Sequence, residues 1–406
     1  MRTAVYLTVL AAAFWPARAS AQSLNLTESD ALARLSVDSP RARAARAAVD
    51  IARVDVLSAA RWPNPRVLWD RESVAGVTET IVSVSQPLPI TGRRRLDVRA
   101  AAEMASASSS RADDEVRRLR ADLRLAFADL VAAQAREQAL TAVTARLSDL
   151  AETLAKREAA GDTAGFDRLR AEREVLDIDT DRIIARTDRL RAQALLAGFF
   201  ADLADPTRLV AVSGTPVPAT PPAVDALMEQ AEATRGELLA LRREIDAARF
   251  AERAAERRRI PEPEIVAGTK SSTILGGDTG SVVSAIASIP LFDRSRPERA
   301  LAVARGAQAE ARVNAFRVVL RGQIAALRAA VIERREAAER YRAEAVRAGE
   351  IERIAQVSYD AGERSILELL DAYRIGSSAR VRQATLDAVV RQAEIELEFA
   401  SGWEMQ

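Results

Sequence analysis

The chain has 406 residues, 59 basic and 58 acidic side chains for a net charge of +1, no cysteine and no histidine. That balance gives no global field for nucleic acid or anionic lipid. The missing residue types exclude disulfides, thiol nucleophiles, His-based triads, haem ligation and most zinc sites, and 4% aromatic residues is low for a sugar cleft, so no catalytic residue, cofactor or metal ligand is assigned and no enzyme is expected.

The chain opens with the pattern of an export signal. Arg2 supplies the positive start, Val5 to Trp15 the apolar stretch, and Ala19-Ser20-Ala21 the small residues before a cut ahead of Gln22. Residues 1–21 are therefore assigned as a signal peptide, and without cysteine no lipid anchor on an N-terminal cysteine is expected. No later stretch is long and apolar enough for a transmembrane helix; Ala192–Phe200 comes nearest and falls short. Any membrane passage must then be made by β-structure.

After the signal the sequence states one plan twice. A helix over Thr27 to Ala60 is stopped by Pro63 and Pro65. Two strands follow, Arg66–Val74 and Thr78–Leu88. In the second, Thr80, Val82 and Val84 alternate with Ser83 and Ser85, the period-two pattern of a strand with one apolar face. A helix from about Arg94 to Ala160 comes next and carries Leu140, Val143, Leu147, Leu150 and Leu154 at coiled-coil spacing. It turns at Gly161 and returns as a helix over Gly165–Phe200. A Pro-rich stretch, Asp202–Ala223, reads as an extended, exposed linker.

The second copy runs from Asp225 to Trp403. Asp225-Ala226-Leu227 answers Asp30-Ala31-Leu32, and Arg259-Ile260-Pro261-Glu262-Pro263 answers Arg61-Trp62-Pro63-Asn64-Pro65. Strands are expected at Glu264–Ser272 and Ser281–Leu291, a long helix from about Pro297 to Ala361, a turn at Gly362 and a helix over Ser365–Trp403. Each long helix would span roughly 100 Å at 1.5 Å per residue. The expected organisation is a first repeat at 22–200, an inter-repeat linker at 201–223 and a second repeat at 224–406.

Four strands cannot close a membrane barrel, and their edges would invite aggregation. Several chains together can close one, three of them giving twelve strands, with the helices forming a tube on the same axis. The fold class expected is mainly α with a small β part: twice-repeated long antiparallel helical hairpins in an α-barrel, and four strands per chain that a membrane β-barrel shared by several chains would use.

Three stretches carry a family resemblance. They are Gln86-Pro87-Leu88-Pro89-Ile90-Thr91-Gly92-Arg93-Arg94, Pro290-Leu291-Phe292-Asp293-Arg294, and Tyr359-Asp360-Ala361-Gly362-Glu363-Arg364-Ser365-Ile366-Leu367-Glu368-Leu369-Leu370-Asp371-Ala372. They resemble the TolC-type outer-membrane factors, and the first is nearer the branch serving metal-ion and other cation exporters. The resemblance implies a homotrimer whose strands complete a trimeric twelve-stranded β-barrel in outer-membrane lipid, with its helical part in the periplasm. It also implies a periplasmic adaptor (a membrane fusion protein) and, through it, an inner-membrane pump as partners, with no nucleic acid.

The same resemblance assigns a periplasmic gate. Tyr359, Arg364, Glu368 and Asp371 stand at the family's positions in the second hairpin, and Asp167 at that of their acidic partner in the first. Glu368 and Asp371 lie three apart and share a helix face, so three chains would ring the axis with carboxylates that favour cations. Gly161, Asp162, Gly362 and Glu363 are assigned to the hairpin-tip turns and adaptor docking. Phe166 departs from the family, which carries a small polar residue there. The other reading of the residues is a soluble periplasmic coiled-coil adaptor or scaffold, although adaptors carry one hairpin and β-domains of their own.

Overall fold

The computed structural model describes residues 23–35, 39–161, 165–200, 203, 205–214 and 219–404. The signal-peptide assignment, Asp162 and part of the linker, including Pro216 and Pro218, lie outside the described residues.

The chain starts with β1 (Leu24–Leu26) and a short helix α1 (Glu28–Arg34). The amide of Asp30 bonds the Thr27 hydroxyl at 3.2 Å, and the Asp30 carboxylate accepts from the Thr27 amide at 3.1 Å. Helix α2 (Pro40–Ala60) begins with Pro40 in the first turn, behind the Ser39 cap. The single helix expected over Thr27–Ala60 is thus two, because a proline is tolerated in the first turn of a helix and not in its interior. Strands β2 (Arg66–Val74) and β3 (Val77–Pro87) follow, then α3 (Arg93–Ala159) and α4 (Gly165–Ala197). After β4 (Leu209–Ala211) the plan recurs: α5 (Val224–Thr234), α6 (Gly236–Arg257), β5 (Pro263–Ser272), β6 (Asp278–Ala287), α7 (Arg296–Asp360) and α8 (Ile366–Ser401). Here too the first helix is broken, at Arg235, whose ψ of 115° is extended.

The four long strands form one antiparallel sheet in the order β2-β3-β5-β6. Its register sorts the side chains. Val67, Val84, Ala267 and Val283 lie in one cross-strand row, with Trp69, Val82, Ile265 and Ala285 on the same face. The opposite face is mixed: it carries Ser83, Ser85, Ser284, Asp70, Glu72, Glu79 and Lys270 among Leu68, Ile81, Val266 and Val282. The apolar face is bare: Val67 is 73% and Val283 79% exposed. Strand β6 starts and ends earlier than the expected Ser281–Leu291, because the Gly276-Gly277 turn, with both φ near 101°, lets pairing begin at Asp278.

The helices form two stacked layers. Near the sheet, α2 packs on α3, α3 on α6 and α6 on α7; towards the hairpin tips, α4 packs on α3, α3 on α8 and α8 on α7. Helices α3 and α7 run through both layers. A core of Leu, Val and Ala side chains ties each layer, for example Leu123, Phe127, Leu130 and Leu196 around the middle and Leu147, Leu154, Leu369 and Tyr373 near the tips.

The linker is not wholly exposed. Within it, β4 pairs in parallel with β1, Leu24 opposite Leu209, and Leu209 and Ala211 are buried. The Gln134 side chain bonds both the amide and the carbonyl of Ala211 at 2.9 Å, and buried Gln193 donates to the Leu209 carbonyl at 2.6 Å. These amides replace a missing neighbouring strand. Glu28 fastens α1 in turn. It accepts from Arg391 of α8 at 2.8 Å and Arg124 of α3 at 2.5 Å.

Two outcomes test this packing. A Cβ on Gly236 would lie 2.1 Å from the Ser110 carbonyl oxygen of α3. Gly236→Ala should therefore lower stability by about 1–3 kcal/mol, seen as an earlier thermal unfolding transition. Burial pushes the Glu28 carboxyl upward, but Arg391 and Arg124 together outweigh it and hold the group below its usual 4.5. A folded-state value lower than the unfolded one gives stability that is present above about pH 4.5 and lost as pH falls. Glu28→Gln should lower stability at neutral pH and weaken its decline on acidification, measured by thermal melts from pH 7 to 3.

Candidate gate site at the hairpin tips

Both tips are built by glycine. Helix α3 ends at Gly161, φ 82°, whose amide bonds the Glu158 carbonyl at 2.9 Å; helix α7 ends at Gly362, φ 75°. In the second turn the Gly362 amide bonds the Tyr359 carbonyl at 3.0 Å and the Glu363 amide bonds Ser358 at 2.9 Å. That pair of bonds satisfies the last carbonyls of α7 and needs the left-handed residue between them. Glu363 is exposed at the tip.

The expected gate residues divide into two groups. Tyr359 is half-buried against the core near the tips. Burial pushes its hydroxyl upward, Arg157 pulls it down, and Asp167 and Asp360 push it further up. Tyr359 therefore stays a neutral donor, with Asp167 close enough to act on it. Arg364 does not reach the first hairpin. It donates to Glu368 at 3.1 Å on its own helix, and the other Glu368 oxygen accepts the Ser365 amide at 3.0 Å. Glu368 thus closes the first turn of α8, where a carboxylate also meets the positive end of the helix dipole. Asp371 is exposed on the same helix. Phe166 is exposed at the start of α4, with the Arg170 guanidinium 5.6 Å from its ring centre.

The ties between the two hairpins lie higher than expected. Glu174 of α4, buried, receives both Nε and Nη2 of Arg374 of α8 at 2.6 and 2.5 Å. Glu352 of α7, 3% exposed, receives Arg146 of α3 and Arg380 of α8. Within the second hairpin, buried Tyr373 of α8 donates to Gln356 of α7. Sequence reasoning passed over all of these, yet a signal existed. Glu352 falls between Ala348 and Ala355, and Glu174 between Ala171 and Ile178, at seam positions where apolar residues are the rule. A charge at a seam needs a partner on the facing helix. Glu352, Arg146, Arg380 and Tyr373 themselves line a groove of about 660 Å³ that runs on past Arg157 to Tyr359. Among the described residues no acidic cluster is arranged to hold a metal ion.

Residues 227–403 match the family model described as outer membrane efflux protein. Among solved structures the chain is similar to a membrane protein from Pseudomonas aeruginosa, with 19% identity, 92% of each chain covered and a TM-score of 0.78. It is also similar to the outer membrane protein VceC of Vibrio cholerae, with 16% identity over 93% of this chain and 97% of that one, TM-score 0.74. The Campylobacter jejuni CmeC outer membrane channel shares 14% identity over 92% of this chain and 84% of that one, TM-score 0.75. No curated protein matches in sequence. At these identities the structural likeness is one of fold.

Glu368 offers a direct test of its part in the tip. Glu368→Gln keeps an acceptor for the Ser365 amide and should leave stability nearly unchanged. Glu368→Ala removes that acceptor and should cost about 1 kcal/mol, read as faster amide hydrogen exchange over the first turn of α8.

Proposed function

We propose that this protein, with the fold of TolC-type outer-membrane channels and an efflux-family match across its second half, is one subunit of a trimeric exit duct. The observation that carries the trimer is that both layers of the chain stop at matching open ends. In the sheet, β2 and β6 are the unpaired edges. In the helical layers the ends are α2 and α4 on one side and α7 on the other. The first repeat supplies one side of every layer and the second repeat the other. Joining such ends head to tail generates a ring.

The bare side chains support the same closure. Helix α2 exposes Ile51, Val54 and Leu57, and α4 exposes Leu169, Leu176, Ile183 and Leu190, a seven-residue repeat with nothing packed on it. Helix α7 exposes Val346 and Ile354 on its own free side. Three copies bring the sheet to twelve strands, with its apolar face outward and its serines and charges inward. Each strand, of 9 to 11 residues, matches the length of a tilted membrane strand. The helices then continue the lumen into the periplasm. No described helix is long and apolar enough to cross a membrane.

In this duct the tips meet a periplasmic adaptor, through which an inner-membrane pump delivers small solutes. The energy comes from the pump; the chain carries no phosphate-binding loop. Asp167, Tyr359, Arg364, Glu368 and Asp371 form the constriction, with Gly161, Asp162, Gly362 and Glu363 at the docking turns. The soluble scaffold is not favoured, since it leaves the apolar sheet face in water.

Detergent extraction of fractionated outer membrane should yield a native mass of three chains. A monomer in the periplasmic fraction would instead support the scaffold. In planar bilayers, Asp371→Asn should weaken block by divalent cations without dissociating the trimer, and unchanged block would remove Asp371 from the constriction.

A further inference from the structure

The Glu352 carboxylate lies at the meeting point of three helices from both hairpins. Its two oxygens are divided: one accepts from Arg146 of α3 and the other from Arg380 of α8 at 2.5 Å. Room for it is made by one residue. A Cβ on Gly376 of α8 would lie 2.4 Å from the second carboxylate oxygen. Gly376 has ordinary helical φ and sits in mid-helix, where glycine weakens the helix relative to alanine. A methyl group there would force the carboxylate out of its present seat.

The carboxylate also heads a polar stripe. Glu352, Gln356 and Asp360 follow at intervals of four along α7, so they share one face. Gln356 accepts from the Tyr373 hydroxyl and donates to Asp360 at 3.0 Å. Asp360 is the last residue of α7 and adjoins Tyr359. One turn beyond the three-helix junction, the hydrogen-bonded trio of Tyr373, Gln356 and Asp360 carries the same helix face on to the tip turn.

We infer that Glu352, seated in the Gly376 notch, is the positioning residue that sets how far the second hairpin leans from the first, and hence the aperture at the tips. The inference rests on the exit-duct reading. An apolar side chain at this seam would let α7 and α8 slide on α3, because dispersion contacts carry little direction. A carboxylate shared between two guanidinium groups fixes both separation and register. Loss of the charge need not unfold the tip: the Arg146 side chain is 51% and that of Arg380 36% exposed, so each can turn to water.

The experiment compares full-length wild type, Glu352→Gln and Gly376→Ala as detergent-extracted trimers. Single-channel conductance is measured in planar bilayers. The spread of spin labels on Glu363→Cys is read by pulsed electron resonance, which the cysteine-free chain permits. Both variants should raise conductance and widen the label separation while native mass stays trimeric. Arg146→Gln, which removes the most exposed partner, should do the same to a smaller extent and guards against misfolding of the other two. A conducting trimeric wild type with conductance and label distances unchanged in all three variants overturns the positioning role and leaves the duct standing. A wild type that neither trimerises nor conducts overturns the duct and this inference with it.

Discussion

The structure depends on backbone hydrogen bonding at the two edges of a four-stranded sheet. In hydrocarbon each unpaired N–H and C=O costs several kcal/mol, and β2 and β6 each present a row of them. Among the described residues no strand pairs with either edge. The sheet's apolar face is equally unfinished, with Val67, Trp69 and Val283 bare. In the proposed trimer further copies meet both deficits, and that geometry passes down the molecule. Because α3 and α7 follow directly from β3 and β6, a closed sheet places the helices in a ring as well.

Within one chain, cohesion comes from arginine as much as from apolar packing. Helix α3 acts as a mast whose guanidinium groups reach most of its neighbours. Arg111 holds Glu237 and Glu244 of α6, Arg118 holds Glu396 of α8, and Arg124 holds Glu28 of α1 together with Glu398 of α8. A planar fork with five donors can bond two carboxylates at once, which a lysine ammonium does with less directional control. Where seams are filled by alanine, as around Ala128, Ala132 and Ala133, little area is buried. These ion pairs then supply the orientation that larger side chains would otherwise give.

Periodicity was enough to read the long elements. The Leu140-to-Leu154 seam announced α3, and the Val–Ser alternation announced β3, because local patterns of 3.5 and 2 residues survive without tertiary context. The short strands β1 and β4 were not legible. Three residues show no period, and their pairing partner lies 185 positions away along the register Leu24–Leu209. The helix break at Arg235 was equally hidden, since no proline marks it; that residue is held by the Phe399 carbonyl and by Asp114 across the fold. At the tips the turn glycines followed from sequence, but the partner of Arg364 did not. Glu368 on its own helix competes with Asp167 on the other hairpin, and the helix turn brings Glu368 within reach without further folding.

The pairing of β1 with β4 bears on how the molecule is made. A chain synthesised from its N-terminus presents β1 first, yet β1 has no strand to join until the whole first hairpin and the segment after it have emerged. Closing a contact over that separation carries a large loop entropy and belongs late in assembly. Its acceptor site, the side chains of Gln134 and Gln193, is itself made by the hairpin. The small sheet thus closes the first repeat on itself: its contacts are complete only where the hairpin supplies Gln134 and Gln193, and the chain passes from it into the second repeat.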